Sequence, residues 1–447
     1  MQIGSFSRER ASQNRATIRQ LLASLSFHHG SDANGPEIED EETEAWITAQ
    51  RRQFGTMPAP RARPQTKRRG HAIETEIMKV AIVHYWLVGM RGGEKVVEAL
   101  CDMFPTADIF THVYSPEAVS ERIRARTVKT TFIAGLPRAA RWYKSYLPLM
   151  PLALEQLDLR GYDLIISSES GPAKGIIPDA AALHLCYCHS PMRYIWNMYH
   201  EYRQGAGFMT RIAMPPVAHY LRTWDVASTV RVDHFVANSQ TVAARVRRYY
   251  GRTAAVVSPP VDVDAFSLAP ESERGDYMLM VGELVPYKRP DLAVEAFNRM
   301  RAKLVIIGGG EMLDRIRRLA GPTVTVMGPR PFEDLRYHYA RCRALIFPGE
   351  EDFGIVPVEA MASGRPVIAY GRGGATETVI SNLSGLLFEE QSVDCLIAAV
   401  RTFEKMEFDP TQIAAHARNF SVERFVSAMT DQINHLLSAG VGEPARS

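Results

Sequence analysis

From Met78 onward, apolar positions come in short runs bounded by polar or glycine-rich turns, alternating with longer stretches of helical period. Residues 79–84 (KVAIVH), 163–167, 184–188 and 234–238 read as buried strands; the first is followed by a loop over 89–93 and a helix from Glu94. A strand that is apolar at nearly every position is covered on both faces, as in a parallel sheet lying between helices. The pattern breaks at 258–262 (SPPVD) and then restarts. Strands are expected at 277–281, 303–307, 324–327, 344–347 and 366–369, with a helix over 290–301. Two successive βαβ series joined by a proline-rich segment predict an α/β protein of two Rossmann-like domains, with parallel sheets facing a central cleft. The expected boundaries are 78–258 for the N-terminal domain and 259–420 for the C-terminal one.

The first 77 residues have a different texture. Residues 18–27 have the spacing of a short amphipathic helix; an acidic run over 37–44 and a Pro/Arg/Lys-rich stretch over 58–69 follow. Opposed charge blocks with little apolar content do not offset the entropy of ordering, so 1–77 is expected to be a disordered extension. Met78 directly precedes the first strand-like run and is a candidate alternative start.

Composition narrows the function classes. The chain has 447 residues, 46% of them hydrophobic, which is long enough for large cores. Lys plus Arg number 52 against 50 Asp plus Glu, a net charge of +2, which argues against nucleic acid as a partner. The 5 cysteines are scattered, and Cys186-x-Cys188 lacks the spacing of a zinc knuckle or redox pair, so a reducing compartment is expected. No run of about 18 apolar residues and no signal-peptide pattern is present. A cytoplasmic protein is expected. Asp262-x-Asp264 has the form of a metal-binding pair but lies in the linker, far from the other polar motifs. Gly308-Gly-Gly-Glu311 is neither a dinucleotide fingerprint nor a P-loop. No metal or cofactor is expected.

The most informative stretch is 351–364 (EDFGIVPVEAMASG). Seven residues separate two carboxylates, Glu351 in a loop after a strand and Glu359 in the following helix. Fixed carboxylates accept hydrogen bonds from vicinal sugar hydroxyls, and Gly354 lets backbone N–H groups approach a ligand at the helix start. In isolation the pair would be ordinary surface charge. Lys288 and Arg289, after the first strand of the second domain, read by themselves as a solvated basic turn. Gly92 and Gly93 either admit a ligand to the main chain from the other domain or form a plain strand-to-helix turn.

The 351–359 spacing resembles the E-x7-E signature of the family 4 retaining glycosyltransferases, which have the GT-B fold. Gly92-Gly93, Cys188-His-Ser-Pro191, Asn238-Ser239 and 282–289 (GELVPYKR) occur in that family's order. The stretch 188–196 (CHSPMRYIW) also resembles mannosyltransferases of bacterial polysaccharide assembly, of the acetan and O-antigen type. By this resemblance, Glu351 faces the donor sugar near O3 and O4, Glu359 binds the nucleotide ribose, Lys288 neutralises the leaving diphosphate and His189 contacts the transferred sugar. Gly92, Gly93, Arg289, Phe353 and Gly354 complete the donor side; Lys174 and Arg193 are candidate acceptor contacts. The family often has Arg where this chain has Glu283, which removes one expected cation. A final helix over 422–437, within 421–440, is the candidate for the GT-B crossing back to the first domain.

The implied partners are a nucleotide diphosphate sugar as donor and a polyprenyl-diphosphate-linked oligosaccharide as acceptor. The implied reaction moves a hexose, with mannose from GDP-mannose the first choice, in exopolysaccharide or O-antigen (lipopolysaccharide) assembly. A UDP-sugar donor, a sugar-nucleotide epimerase and a non-catalytic sugar-nucleotide binding protein remain as alternatives. Arg138, Arg141 and Lys144 beside Trp142, Tyr143 and Tyr146, followed by the apolar run 147–154, suggest peripheral contact with the inner face of the cytoplasmic membrane, against an ordinary helix with a basic edge.

Overall fold

The structure, a computed structural model, describes residues 78–439; the extension over 1–77, with its expected helix at 18–27, lies outside the described residues. Among the described residues, thirteen strands form two sheets. The first holds β1 (Val80–His84), β2 (Asp108–Thr111), β3 (Val128–Thr130), β4 (Leu164–Glu169), β5 (Leu183–Cys188), β6 (His234–Ala237) and β7 (Ala254–Val256). The second holds β8 (Met278–Val281), β9 (Leu304–Ile307), β10 (Val324–Gly328), β11 (Leu345–Phe347), β12 (Val367–Tyr370) and β13 (Gly385–Phe388). Their orders are β3-β2-β1-β4-β5-β6-β7 and β10-β9-β8-β11-β12-β13, and every pairing is parallel. In each sheet the order reverses beside the first strand, at β1/β4 and at β8/β11. Loops diverge at such a reversal and leave a crevice at the carboxyl ends of the strands.

Side-chain alternation explains why these strands are buried throughout. Val80 and Ile82 face a core shared with the helix Gly92–Met103, while Ala81 and Val83 face the opposite layer with Leu154, Ala173 and Ile176. The second sheet repeats this, with Met278 and Met280 on one face and Leu279 on the other. A period of two thus places apolar side chains in both layers. The short strands β2, β3, β7 and β13 were not expected from the pattern. β3 and β7 are edges with no fully buried residue, so hydrophobicity does not mark them.

The chain passes between the lobes twice, and the two passages are joined. Val261 N–H donates to the Phe420 carbonyl at 3.0 Å, and Val261 bridges Ser421. Before this point Ile413, Ala417 and Phe420 belong to the second domain's core. After it, Phe425, Met429, Ile433, Leu436 and Leu437 of the helix Val422–Ala439 pack into the first domain's core. Their three- and four-residue spacing is one helical face. Phe425 meets Tyr187 of β5 edge-on at 5.7 Å, so the last helix lies against the strand that leads to His189.

Candidate functional site

Two helices begin at the carboxyl edges of the two sheets and meet between the lobes. The helix Gly92–Met103 follows β1, two residues earlier than expected, so Gly92 and Gly93 form its first turn rather than the loop before it. The helix Ile355–Ala362 follows β11, and Gly354 precedes it at φ 90°, a left-handed conformation that disfavours side chains. A Cβ on Gly92 would lie 2.7 Å from Ile355 Cδ1. The absence of a side chain at 92 therefore lets the two N-termini approach. Each carries unpaired N–H groups and a partial positive charge, and together they favour an anion.

Lys288 lies beside this junction. It ends the single turn Pro286–Lys288 after β8, and its Nζ is 2.8 Å from Glu351 Oε1. Burial alone would lower the ammonium's pKa; the neighbouring Glu351 carboxylate outweighs it, and the net shift is upward. Lys288 therefore stays cationic. A Cβ on Gly349 would fall 2.6 Å from Lys288 Cα, which shows how tightly the loop bearing Glu351 packs on it. Glu351 is fixed through its main chain: its carbonyl accepts from Gly374 N–H at 2.8 Å. Glu359, half-buried on the helix, accepts from Tyr339 Oη at 2.7 Å, and burial pushes its carboxyl pKa up.

His189 closes the site from the first domain. Its Nε2 is 2.8 Å from Ser168 Oγ at the end of β4, and that hydroxyl is 3.0 Å from Nδ1 of His84 at the end of β1. Glu94, in the first helical turn, is 4.0 Å from His84 Nε2. Burial, with His84 nearby, pushes the His189 pKa down to about 3. The ring is therefore neutral, with one nitrogen tied to Ser168.

The lobes are clasped beside the site. Arg193 reaches Asp352 at 3.5 Å and the Glu350 carbonyl at 3.5 Å, and lies over the Tyr287 ring at 5.2 Å. Arg245 pairs with Asp352 and with Glu350 at 3.6 Å. Ser239 Oγ donates to the Asp352 carbonyl at 2.6 Å. Glu377 accepts from the N–H groups of Gln240 and Thr241 at 2.7 and 2.9 Å, capping the helix Gln240–Tyr250 from the other lobe.

The chain is similar to known proteins in family and in fold. A family model described as Glycosyltransferase Family 4 matches residues 90–265, and one described as Glycosyl transferases group 1 matches 265–420. Together they span residues 90–420 and contain every site residue named above except His84. The chain belongs to the family 4 glycosyltransferases. It is 31% identical over 230 residues to a D-inositol 3-phosphate glycosyltransferase of Geodermatophilus obscurus, covering 44% of this chain and 51% of that one. It is 32% identical over 203 residues to a GDP-mannose-dependent alpha-(1-6)-phosphatidylinositol monomannoside mannosyltransferase of Mycolicibacterium smegmatis, covering 37% and 53%. The chain thus spans about half the length of the curated relatives it matches. Among solved structures, sucrose-phosphate synthase of Thermosynechococcus elongatus superposes with a TM-score of 0.60 at 20% identity, covering 81% of this chain and 100% of that one. Anabaena Alr3699/HepE, solved with UDP and glucose, superposes with a TM-score of 0.57 at 18% identity, over 81% and 100%. Both are likenesses of fold, and the architecture is GT-B.

Within this family 4 chain, four expected site residues are held by other partners. Lys174 is no acceptor contact: it is fully buried, paired with Glu169 at 2.8 Å and with Asp225, whose other oxygen accepts from Trp196 Nε1 at 2.7 Å. A buried ammonium needs such carboxylates, and they seal it from any substrate. Phe353 is no donor contact through its side chain, which packs in the second core against Phe420 at 5.7 Å. Arg193 is engaged across the cleft by Asp352 and Tyr287 rather than free for an acceptor. Arg289 is held by Asp291 at 3.2 Å and Gln391 at 3.4 Å, outside the Lys288–Glu351 pair. The glycines 308–310 have a packing role, since a Cβ on Gly310 would meet the Leu284 carbonyl at 2.7 Å. Asp264 pairs with Arg418 at 3.2 Å on the surface between the two passages. Sequence reasoning missed Ser168, His84, Glu94, Arg245 and Glu377. Asp352 sat inside the recognised motif without a role.

The buried imidazoles set a pH expectation. Burial lowers His112 and His184 to about 4 and His189 to about 3. In an unfolded chain each would titrate near about 6.5. Below that, the unfolded state binds more protons, so their stabilising contribution is complete above about pH 6.5 and is withdrawn as pH falls toward about 4. Ring-nitrogen NMR of histidine-labelled protein should show three imidazoles still neutral at about pH 5; three ordinary titrations near 6.5 would contradict their burial.

Proposed function

We propose that the protein is a retaining glycosyltransferase that moves a hexose from a nucleotide diphosphate sugar to a lipid-linked oligosaccharide. The observation that carries this reading is the junction of two helix N-termini, one from each lobe, beside the Lys288–Glu351 pair. An anion held there gains most as its negative charge grows. A departing nucleoside diphosphate is such an anion, so the site favours the transition state over the ground state. Lys288 exchanges its contact with Glu351 for a phosphate oxygen, and Glu351 is then free to accept hydrogen bonds from sugar hydroxyls. Glu359, about one turn into the helix Ile355–Ala362, meets the ribose. His189, neutral and oriented by Ser168, contacts the transferred sugar.

In the step itself, the acceptor hydroxyl oxygen forms a bond to C1 while the bond from C1 to the diphosphate oxygen breaks. The acceptor proton passes to that diphosphate oxygen on the same face, which retains the configuration. The clasped lobes exclude water and so disfavour donor hydrolysis. Mannose from GDP-mannose is the first choice; the similarity to the GDP-mannose-dependent mannosyltransferase of Mycolicibacterium smegmatis supports it. The 188–196 stretch supports a place in bacterial polysaccharide assembly of the acetan or O-antigen type, with a polyprenyl-diphosphate acceptor.

A lipid-linked acceptor suits one surface of the first domain. Leu147 packs in one cluster with Met214 and Val217, so the segments 142–152 and 208–214 adjoin. Trp142, Leu152, Phe208, Met209 and Ile212 are exposed there, the last three at 75%, 76% and 59%. Arg138, Arg141, Lys144 and Arg211 flank them, also exposed. Apolar side chains among cations match the interface of an anionic membrane. Among the described residues no helix is long and apolar enough to cross a membrane, and docking at the surface requires none.

Purified protein should consume one donor of a GDP-, UDP- and ADP-sugar panel only when a lipid-linked acceptor extract is present. Lys288→Ala and Glu351→Ala should each lower kcat by about a hundredfold in folded protein, the usual scale for losing a charge-stabilising contact. Wild-type turnover in both, or product formed without acceptor, would contradict the reading. Replacing Phe208, Met209 and Ile212 by Ser should reduce cosedimentation with phosphatidylglycerol vesicles by about tenfold or more, given the apolar area removed; unchanged sedimentation would remove the membrane surface from the account.

A further inference from the structure

Glu283 occupies the turn after β8, beside the proposed diphosphate site, where a carboxylate would repel the ligand. It is not alone there. Its Oε2 is 3.4 Å from Nη1 of Arg91, which belongs to the other lobe. Arg91 is the N-cap of the helix Gly92–Met103, so its main chain stands at one of the two N-termini that meet in the cleft. Glu94 fixes it by accepting the Arg91 backbone N–H at 3.0 Å, which leaves the guanidinium free to move. The neighbouring Gly282 closes the geometry: a Cβ on it would lie 3.4 Å from Lys288 Nζ. Arg91 from one lobe and Lys288 from the other therefore approach opposite ends of one dipeptide turn. Each is paired with a carboxylate, Arg91 with Glu283 and Lys288 with Glu351.

The two pairs differ in burial. Lys288 and Glu351 side chains are mostly covered, at 17% and 19% exposed, whereas Arg91 and Glu283 are at 63% and 41%. An exposed pair is weak and readily exchanged. A diphosphate offers a guanidinium two or more charged oxygens in fork geometry, a stronger contact than one carboxylate oxygen at 3.4 Å.

Resting on the nucleotide-sugar reading above, we propose that Arg91 is the second diphosphate-binding cation of this protein, supplied by the N-terminal lobe. Glu283 is a positioning residue that holds Arg91 at the cleft and must release it when the donor binds. Donor binding then exchanges a cross-cleft ion pair for a cross-cleft phosphate contact, and the lobes stay bridged throughout. Glu283 competes with the ligand for Arg91, so its removal strengthens binding instead of weakening it.

The test is calorimetric binding of GDP, UDP and inorganic pyrophosphate to the full-length wild type, Arg91→Ala, Arg91→Lys, Glu283→Gln and the Arg91→Ala/Glu283→Gln double variant, each checked for folding by circular dichroism. For the probe that the wild type binds, Arg91→Ala should weaken Kd by about tenfold, the scale of one charge-assisted contact, and Arg91→Lys by less. Glu283→Gln should tighten Kd severalfold, and the double variant should match Arg91→Ala. If Glu283→Gln weakens binding as Arg91→Ala does, the pair is only a clasp between lobes and the proposal fails. If neither changes Kd, the pair is solvated surface charge and the proposal fails alone, the donor site standing. If the wild type binds none of the three probes, the donor-site reading fails and takes this proposal with it.

Discussion

Helix N-termini brought together from two lobes concentrate positive potential that the protein neutralises only in part. Main-chain N–H groups at Gly92 and Ile355 cannot pair within their own helices, and the junction adds the Lys288 ammonium to them. Glu351 offsets some of this charge. Much of the surrounding design follows from that constraint. Residue 92 has no side chain, so that Ile355 can approach; residue 354 takes a left-handed turn that aims the second helix into the cleft. The two carboxylates of the motif are anchored from behind, Glu351 by the main chain of Gly374 and Glu359 by Tyr339.

Such a junction works only if the lobes are held in register, and two devices do this. At the hinge, the outgoing and returning passages are hydrogen-bonded through Val261 and Phe420 and bridged at Ser421, so the lobes share a short two-stranded tie. At the cleft, Asp352 gathers Arg193, Arg245 and Ser239, while Glu377 caps a helix of the opposite lobe. The Arg193, Arg245 and Asp352 side chains are mostly covered, at 16%, 11% and 18% exposed, so these charges hold the lobes together beside the site.

The parts of this account legible in the sequence are those set by local pattern. β1, β4 and β8 are apolar on both faces and stand out, as do the Glu351–Glu359 spacing and the Lys288 turn. Where partners are distant in sequence, pattern is silent. Lys174, in a Gly-Pro-Ala-Lys-Gly turn, has the composition of an exposed loop; its burial depends on Asp225, 51 residues away. Phe353 lies between motif residues, yet its side chain packs into the second domain's core, a distinction that adjacency does not carry. Ser168 is one hydroxyl in a strand end, and only the parallel pairing of β1, β4 and β5 brings it between His84 and His189. Edge strands such as β3 lack the apolar content that would announce them.

The most direct measurement of the central claim is a crystal structure of the protein with GDP or UDP bound. The account predicts the pyrophosphate between the first turns of Gly92–Met103 and Ile355–Ala362, with Lys288 Nζ transferred from Glu351 to a phosphate oxygen. A nucleotide whose phosphates touch neither helix start, with Lys288 still on Glu351, would contradict it.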